Sequence, residues 1–283
     1  MRILLTGAAG FTGLFFKRHA EAAGHTVWSL ATDLTDKAAV AAEVMQAEPD
    51  AVVHLAAISF VGHANESAFY AVNVVGTTNL LSALAELPTK PRKVLLASSA
   101  NVYGNCEVSP ITEEQPPAPV NHYATSKLAM EHMSLAFLDR LPIVIARPFN
   151  YTGPGQAPQF LIPKLVNHFA SRVERIELGN LHVEREFNDV RMVCEAYLRL
   201  LERGEPGQIY NVCSGQPYTL EYVLATLERI TGQRMVVNVN PAFVRANEVH
   251  RLCGSPEKLH AAIGNLDRWD LRGTLSWMLE SCN

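Results

Sequence analysis

The sequence contains no C-x-x-C pair, and its five cysteines, Cys106, Cys194, Cys213, Cys253 and Cys282, are scattered and odd in number. Such a set spells out neither a zinc site nor a disulfide framework. Isolated thiols fit a reducing compartment, so a cytoplasmic location is expected. Positive charge is not in excess: 24 Lys and Arg against 28 Asp and Glu give a formal net charge of −4. That argues against attraction of nucleic acid to the whole surface. Apolar runs stay short of the ~20 residues of a membrane span. The strand-like Arg2–Thr6 run starts at once, with no signal-peptide pattern ahead of it. Neither nucleic acid nor membrane is therefore expected as a partner. What is present is ordinary for a globular chain of 283 residues, 48% hydrophobic and 18% charged, enough for one large core or two lobes.

The first half alternates strands and helices. Arg2–Thr6 runs into Gly7-Ala-Ala-Gly10-Phe11-Thr12-Gly13, and a helix is expected from 14 to 23. Strand, glycine turn and helix form the setting of a dinucleotide fingerprint, here spaced G-x-x-G-x-x-G. The helix N-terminus offers free N–H groups and a positive dipole end to a pyrophosphate. After the second strand, 25–30, the expected ribose-binding acid or phosphate-binding arginine is missing: Ser29, Leu30, Ala31 and Thr32 offer neither, and Asp33-Leu34 follows in a loop. NAD and NADP both stay open, with a lean to NADP. Asp36 is a plausible cap for the helix 37–47. Strand 50–57 ends in Leu55-Ala56-Ala57, small enough for a cofactor to lie on the backbone, and His54 reads as a packed structural histidine. Asn73, amid valines in a helix expected over 67–87, reads as a buried hydrogen-bonding group or a solvated one.

Strand 92–97 ends in Ser98 and Ser99, where open α/β sheets bind ligands. Further on, Tyr123-Ala-Thr-Ser-Lys127 starts a helix expected over 123–138. The i, i+4 spacing puts phenol and ammonium on one face, and a neighbouring cation is expected to lower the tyrosine pKa from its usual value of about 10. The pair is a candidate general acid/base.

Gly7-x-x-Gly10-x-x-Gly13, Asp33-Leu34, His54-Leu-Ala-Ala57, Ser99 four residues before Tyr103, Tyr123-x-x-x-Lys127 and Arg147-Pro148 occur in that order. This set resembles the extended short-chain dehydrogenase/reductases of the NAD-dependent epimerase/dehydratase family that act on nucleotide sugars. The resemblance spans nearly the whole chain. It implies an α/β fold: a Rossmann-type doubly wound parallel sheet with a smaller C-terminal α/β substrate-binding lobe. Residues 1–150 would form the NAD(P)-binding domain and 151–283 the nucleotide-sugar lobe, with part of 185–215 returning to the first. Ser99, Tyr123 and Lys127 would be the catalytic triad. Cofactor contacts would come from Gly7, Gly10, Phe11, Thr12, Gly13, Asp33, Leu34, Leu55, Ala56, Ala57 and Asn73, together with Tyr123 and Lys127.

Two departures from the family pattern stand out. The segment between Leu30 and Asp33 is shorter than usual. Ala100 and Asn101 follow the catalytic serine where 4,6-dehydratases carry an acid, and neither can act as acid or base. Elimination chemistry is therefore not expected.

In the second half helices are expected over 156–170, 191–203 and 219–231, with Thr219 as a cap, and a last one around 269–280. Arg185 and Arg245 present donor forks suited to diphosphate oxygens, and Glu248 accepts from ribose hydroxyls or guanine N–H groups. Arg185-Glu-Phe-x-Asp-Val and Asn240-Pro-x-x-x-Arg245-x-x-Glu248-Val are similar to the GDP-sugar members. Asn101, Asn150 and the Gly153-Pro-Gly-Gln156 run resemble their sugar-nucleotide contacts. The resemblance implies reduction, by NADPH or NADH, of the C4 ketone of a 4-keto-6-deoxy sugar nucleotide, with a GDP-sugar favoured. A 4-epimerase with tightly held NAD, or a non-catalytic dinucleotide-binding protein, would carry much of the same set. A homodimer through helices 67–87 and 123–138 is also implied.

Overall fold

A computed structural model describes residues 1–62, 64–181, 183–241, 251–267 and 269–282. Arg245 and Glu248 lie outside the described residues. The main sheet has six parallel strands in the order β10-β5-β4-β3-β1-β2. They are β1 Arg2–Thr6, β2 Thr26–Ser29, β3 Ala51–His54, β4 Lys93–Ala97, β5 Ile143–Pro148 and β10 Ile209–Val212. β3 and β5 are buried at every position, as strands covered on both faces are. Strand order reverses between β1 and β3, so a crevice opens at their carboxyl ends, beside Gly7 and Leu55.

On one face lie α1 Phe11–Ala22, α7 Val190–Arg203 and α9 Glu257–Ile263. Ile3, Leu5, Val53, Leu95 and Val144 meet Val193, Tyr197 and Leu200 of α7 there. On the other face lie α2 Lys37–Ala47, the run from α3 Glu66–Tyr70 to α4 Thr77–Glu86, and α5 His122–Leu135. Between α3 and α4, residues Ala71–Gly76 form a wider turn of π type. A Cβ on Gly76 would sit 2.8 Å from that of Leu34, which packs in the core at this point. Within the run Glu66–Glu86 a window of 18 residues reaches a mean hydropathy of 1.3, long and apolar enough on average to cross a membrane although Asn73, Thr77, Thr78 and Asn79 interrupt it. More than half of that window, 56%, is buried within the fold.

The smaller lobe is built on α6 Leu161–Ala170, α8 Leu220–Thr231 and α10 Leu271–Glu280. They share a core with β7 Arg175–Leu178, which pairs with β12 Val236–Val239. β8 Glu184–Glu186 pairs with β11 Pro217–Thr219 and β13 Arg251–Leu252. The two-residue strands β6 Tyr151–Thr152 and β9 Asn188–Asp189 pair at the junction of the lobes. Asp36, Asn121, Asp189, Thr219 and Asp270 cap α2, α5, α7, α8 and α10, each accepting an orphan backbone N–H.

Three helix bounds differ from the sequence reading by three residues or more. α1 starts at Phe11 rather than Leu14, because Gly10 is already its N-cap. α5 ends at Leu135 rather than 138, in a series of tight turns up to Leu141. α6 starts at Leu161 rather than Gln156; Pro158 holds its predecessor out of the helical region, while Pro163 is tolerated in the first turn.

Candidate active site

A single cleft of about 1020 Å³ runs over the carboxyl ends of β1, β3, β4 and β5 and under the smaller lobe. That is at the upper edge of the roughly 300–1,000 Å³ of ordinary ligand pockets, as two ligands in one cleft require. One end is a backbone cradle. Gly7 has φ +70, and a Cβ there would sit 2.7 Å from the Ala56 nitrogen. A Cβ on Gly13 would sit 2.1 Å from the Gly7 carbonyl oxygen. Both glycines are therefore demanded by the approach of α1 and the β3 end to the turn. Gly7, Gly10, Phe11, Thr12, Gly13, Leu55, Ala56 and Ala57 all line the cleft. Phe11 stacks on Tyr151 at 6.1 Å, and the Thr12 and Tyr151 hydroxyls share a 2.7 Å hydrogen bond.

The wall from Leu55 to Ile58 is held from beneath by a buried chain of polar groups. The Leu55 and Ala56 N–H groups donate to Thr6 Oγ1, which lies 2.7 Å from His54 Nδ1. His54 Nε2 lies 2.8 Å from Thr77 Oγ1, which donates to the Asn73 carbonyl. Donor order along this chain assigns the proton of His54 to Nε2. Burial first, and the charge of Lys127 second, push its pKa down to about 3, so His54 is a neutral structural group. Asn73 holds both backbone groups of Ile58 and donates to Ser126 Oγ. It is wholly buried and does not line the cleft. Asn73, expected as a cofactor contact, stands behind the wall and positions it.

Asp33 and Leu34 are also outside the cleft lining. Asp33 accepts from the Thr35 N–H and hydroxyl, and Leu34 is core. A carboxylate does reach the end of β2 from α2, but it holds the loop there and does not line the cleft. Glu43 accepts from Trp28 Nε1 and from the Ala31 and Thr32 N–H groups. Sequence order could not show this, because thirteen residues lie between Ser29 and Glu43.

The catalytic candidates converge on the cleft. Ser99, at the end of β4, accepts the Asn101 N–H at 3.2 Å. Tyr123 and Lys127 project from the first turns of α5, which Asn121 caps through the Ala124 N–H. Lys127 is 3% exposed and donates to the Ala97 carbonyl at 2.7 Å. Burial holds its pKa down to about 8, with the Glu131 charge opposing. Tyr123 behaves opposite to the expectation from its neighbour. Burial raises its pKa, and the counteracting group is the Ser99 hydroxyl rather than Lys127. The lysine ammonium is turned to a carbonyl instead of the phenol. Tyr123 is thus held as a proton-bearing acid.

Arg185, Asn101 and Asn150 line the cleft, as do Gln156, Gln159 and Asn180. Of these last three only Gln156 was signalled, by its glycine-proline run. One lining group escaped the sequence reading altogether, the Tyr197 hydroxyl; it and the hydroxyl of Ser98, which the strand end had pointed to, are buried and unpartnered among the described residues. Orphaned polar atoms beside a glycine cradle fit a polar ligand such as a dinucleotide.

Sheet order, switch-point cradle and the Ser99, Tyr123 and Lys127 constellation define an extended short-chain dehydrogenase/reductase, a nicotinamide-dependent enzyme. Residues 3–213 match the NAD dependent epimerase/dehydratase family, and the chain belongs to it. It is 37% identical over 271 residues to GDP-6-deoxy-D-talose 4-dehydrogenase of Aggregatibacter actinomycetemcomitans, covering 94% of this chain and 92% of that one. It is 36% identical over 279 residues to GDP-6-deoxy-D-mannose reductase of Pseudomonas aeruginosa, covering 93% and 91%. The solved structure of RMD from Pseudomonas aeruginosa complexed with NADPH superposes with a TM-score of 0.92 at 33% identity, over 99% and 98% of the two chains.

Proposed function

We propose that this enzyme reduces the C4 ketone of GDP-4-keto-6-deoxy-D-mannose to give GDP-D-rhamnose, with NADPH preferred. The observation that carries the reading is the group around the reacting position. Tyr123 is held protonated, Ser99 stands beside it, and Ala100 and Asn101 place no carboxyl next to Ser99. When bound, the reduced nicotinamide supplies the hydride. Tyr123 gives its proton to the oxygen that becomes the C4 hydroxyl. Ser99 donates to the same oxygen, so donors stand where negative charge develops. Lys127, fixed by the Ala97 carbonyl, keeps a positive charge beneath the site. Arg185 from β8 faces the opposite wall and suits the diphosphate. The two GDP-sugar relatives support the nucleotide, and the NADPH complex supports the cofactor preference. The reading extends to a homodimer, supported by the exposed Val75 and Leu135 on the outer helices.

The test is to supply GDP-4-keto-6-deoxy-D-mannose with NADPH or NADH and identify the product by NMR. Stoichiometric oxidation of cofactor with GDP-D-rhamnose formed is expected. A talose-configured product would overturn the C4 stereochemistry. Interconversion of C4 epimers without net cofactor consumption would establish an epimerase. Tyr123→Phe is expected to lower kcat by about 10²–10⁴-fold, the usual worth of a general acid, with cofactor affinity nearly unchanged.

A further inference from the structure

We infer that the Tyr197 hydroxyl, at the base of the cleft, donates a hydrogen bond to an oxygen of the bound dinucleotide. Tyr197 lies on α7, in the half of the chain otherwise devoted to the core and the smaller lobe. Its ring is fully buried in the cluster formed by the main sheet, α1 and α7. Its hydroxyl has no partner among the described residues. A phenylalanine would fill the same space and leave no buried donor unmet, so the oxygen at this position calls for a partner.

The surrounding chain supplies none. Tyr151, Cys194 and Tyr123 add to burial in raising the pKa of this hydroxyl. The Tyr151 hydroxyl is engaged with Thr12 Oγ1, and the Cys194 thiol points to the Thr12 carbonyl. Tyr123 has the Ser99 hydroxyl. Those three side chains each have a partner already. Tyr197 nevertheless lines the same cleft as Gly10, Thr12, Gly13 and Lys127, the cradle that suits the dinucleotide. Burial keeps the phenol protonated at all physiological pH, so it acts as a donor, and phosphate, ribose and carboxamide oxygens of a dinucleotide are acceptors. The inference rests on the family's dinucleotide and is independent of which sugar nucleotide the enzyme takes.

The test is Tyr197→Phe, with dissociation constants for NADP and NAD measured by calorimetry on the full chain. The dissociation constant is expected to rise about 3- to 10-fold, the worth of one neutral hydrogen bond. The melting temperature without cofactor is expected to stay level or rise, since an unmet donor has gone. An unchanged dissociation constant would overturn the inference. With a lowered melting temperature, that result would mean a resident water holds the hydroxyl. A variant that both melts early and binds weakly is resolved by a second measurement. In wild-type protein labelled with ¹³Cζ-tyrosine, the resonance absent from the Tyr197→Phe spectrum should shift on saturation with NADP. No shift would overturn the inference whatever the stability change.

Discussion

Glu131→Gln should both loosen the fold and move the pH profile, because one carboxylate serves two cations. Arg147, on β5, donates from Nε to Glu131 Oε1 at 2.9 Å and from Nη2 to Oε2 at 2.6 Å. The two side chains are only 3% and 4% exposed. The guanidinium also lies 4.8 Å from the Tyr103 ring centroid, and its Nη1 has no partner among the described residues. Glutamine keeps the shape but sets an amide N–H against the fork and leaves the arginine charge unpaired. Breaking such a buried pair costs about 3–5 kcal/mol. At about 2–4 °C per kcal/mol for a chain of this order, the melting temperature should fall by roughly 6–20 °C. Removing both charges in Glu131→Leu/Arg147→Met should recover much of that loss, because no charge is then left buried alone.

Glu131 is also the group that favours the charged form of Lys127, one helical turn away. In wild type, kcat/KM should decline as pH rises through about 8, where Lys127 loses its proton. In Glu131→Gln that limb should lie at lower pH. The stability linkage runs the other way. Lys127 has a folded pKa depressed from 10.5 to about 8, so the folded state binds fewer protons in that window and this group's contribution to stability rises with pH across it. Calorimetric melting and kcat/KM profiles of the single and double variants test the reasoning. A single variant that melts within 2 °C of wild type by about the precision of such scans, with an unmoved alkaline limb, refutes it.

Gly13→Ala should weaken dinucleotide binding by more than about tenfold and lower stability by about 1–3 kcal/mol, since its Cβ meets the Gly7 oxygen; calorimetric titration with NADP checks this. His54→Phe should leave the Thr6 hydroxyl proton without an acceptor while Thr77 keeps the Asn73 carbonyl, costing about 1–3 kcal/mol, and should weaken cofactor binding through the Leu55–Ile58 wall. Because His54 is neutral above a pKa of about 3, that loss should be the same at pH 6 and pH 8 by calorimetry. Glu186 accepts from the Gly254, Ser214 and Gly215 N–H groups, the Ser214 hydroxyl and Asn188 Nδ2, tying β8 to the loops after β10 and β13. Glu186→Gln should therefore raise KM for the sugar nucleotide more than it lowers kcat, since it displaces the neighbouring Arg185.

The arrangement of the first half was legible in the sequence because its signals are local. A glycine turn between a strand and a helix, a Tyr-x-x-x-Lys pair at a capped helix start and a hydroxyl-rich strand end each declare themselves within a dozen residues. Those local patterns led to the parallel sheet, the cradle, and Ser99, Tyr123 and Lys127 at one cleft. Helix starts were less legible where a cap or a proline decided them, as at Gly10 and Pro158.

Tertiary structure alone decided what neighbours do to one another across the chain. Spacing put Lys127 beside Tyr123, but the fold turned the ammonium to the Ala97 carbonyl and left burial to set the phenol's pKa. Asn73 looked free to serve a cofactor until the fold spent its amide on Ile58 and Ser126. Glu43 reached the end of β2 from a later helix, and Tyr197 brought a hydroxyl into the cleft from the far half of the chain. Periodicity predicts which face a residue occupies. What a buried polar atom meets on that face depends on residues tens of positions away, and only packing brings them together.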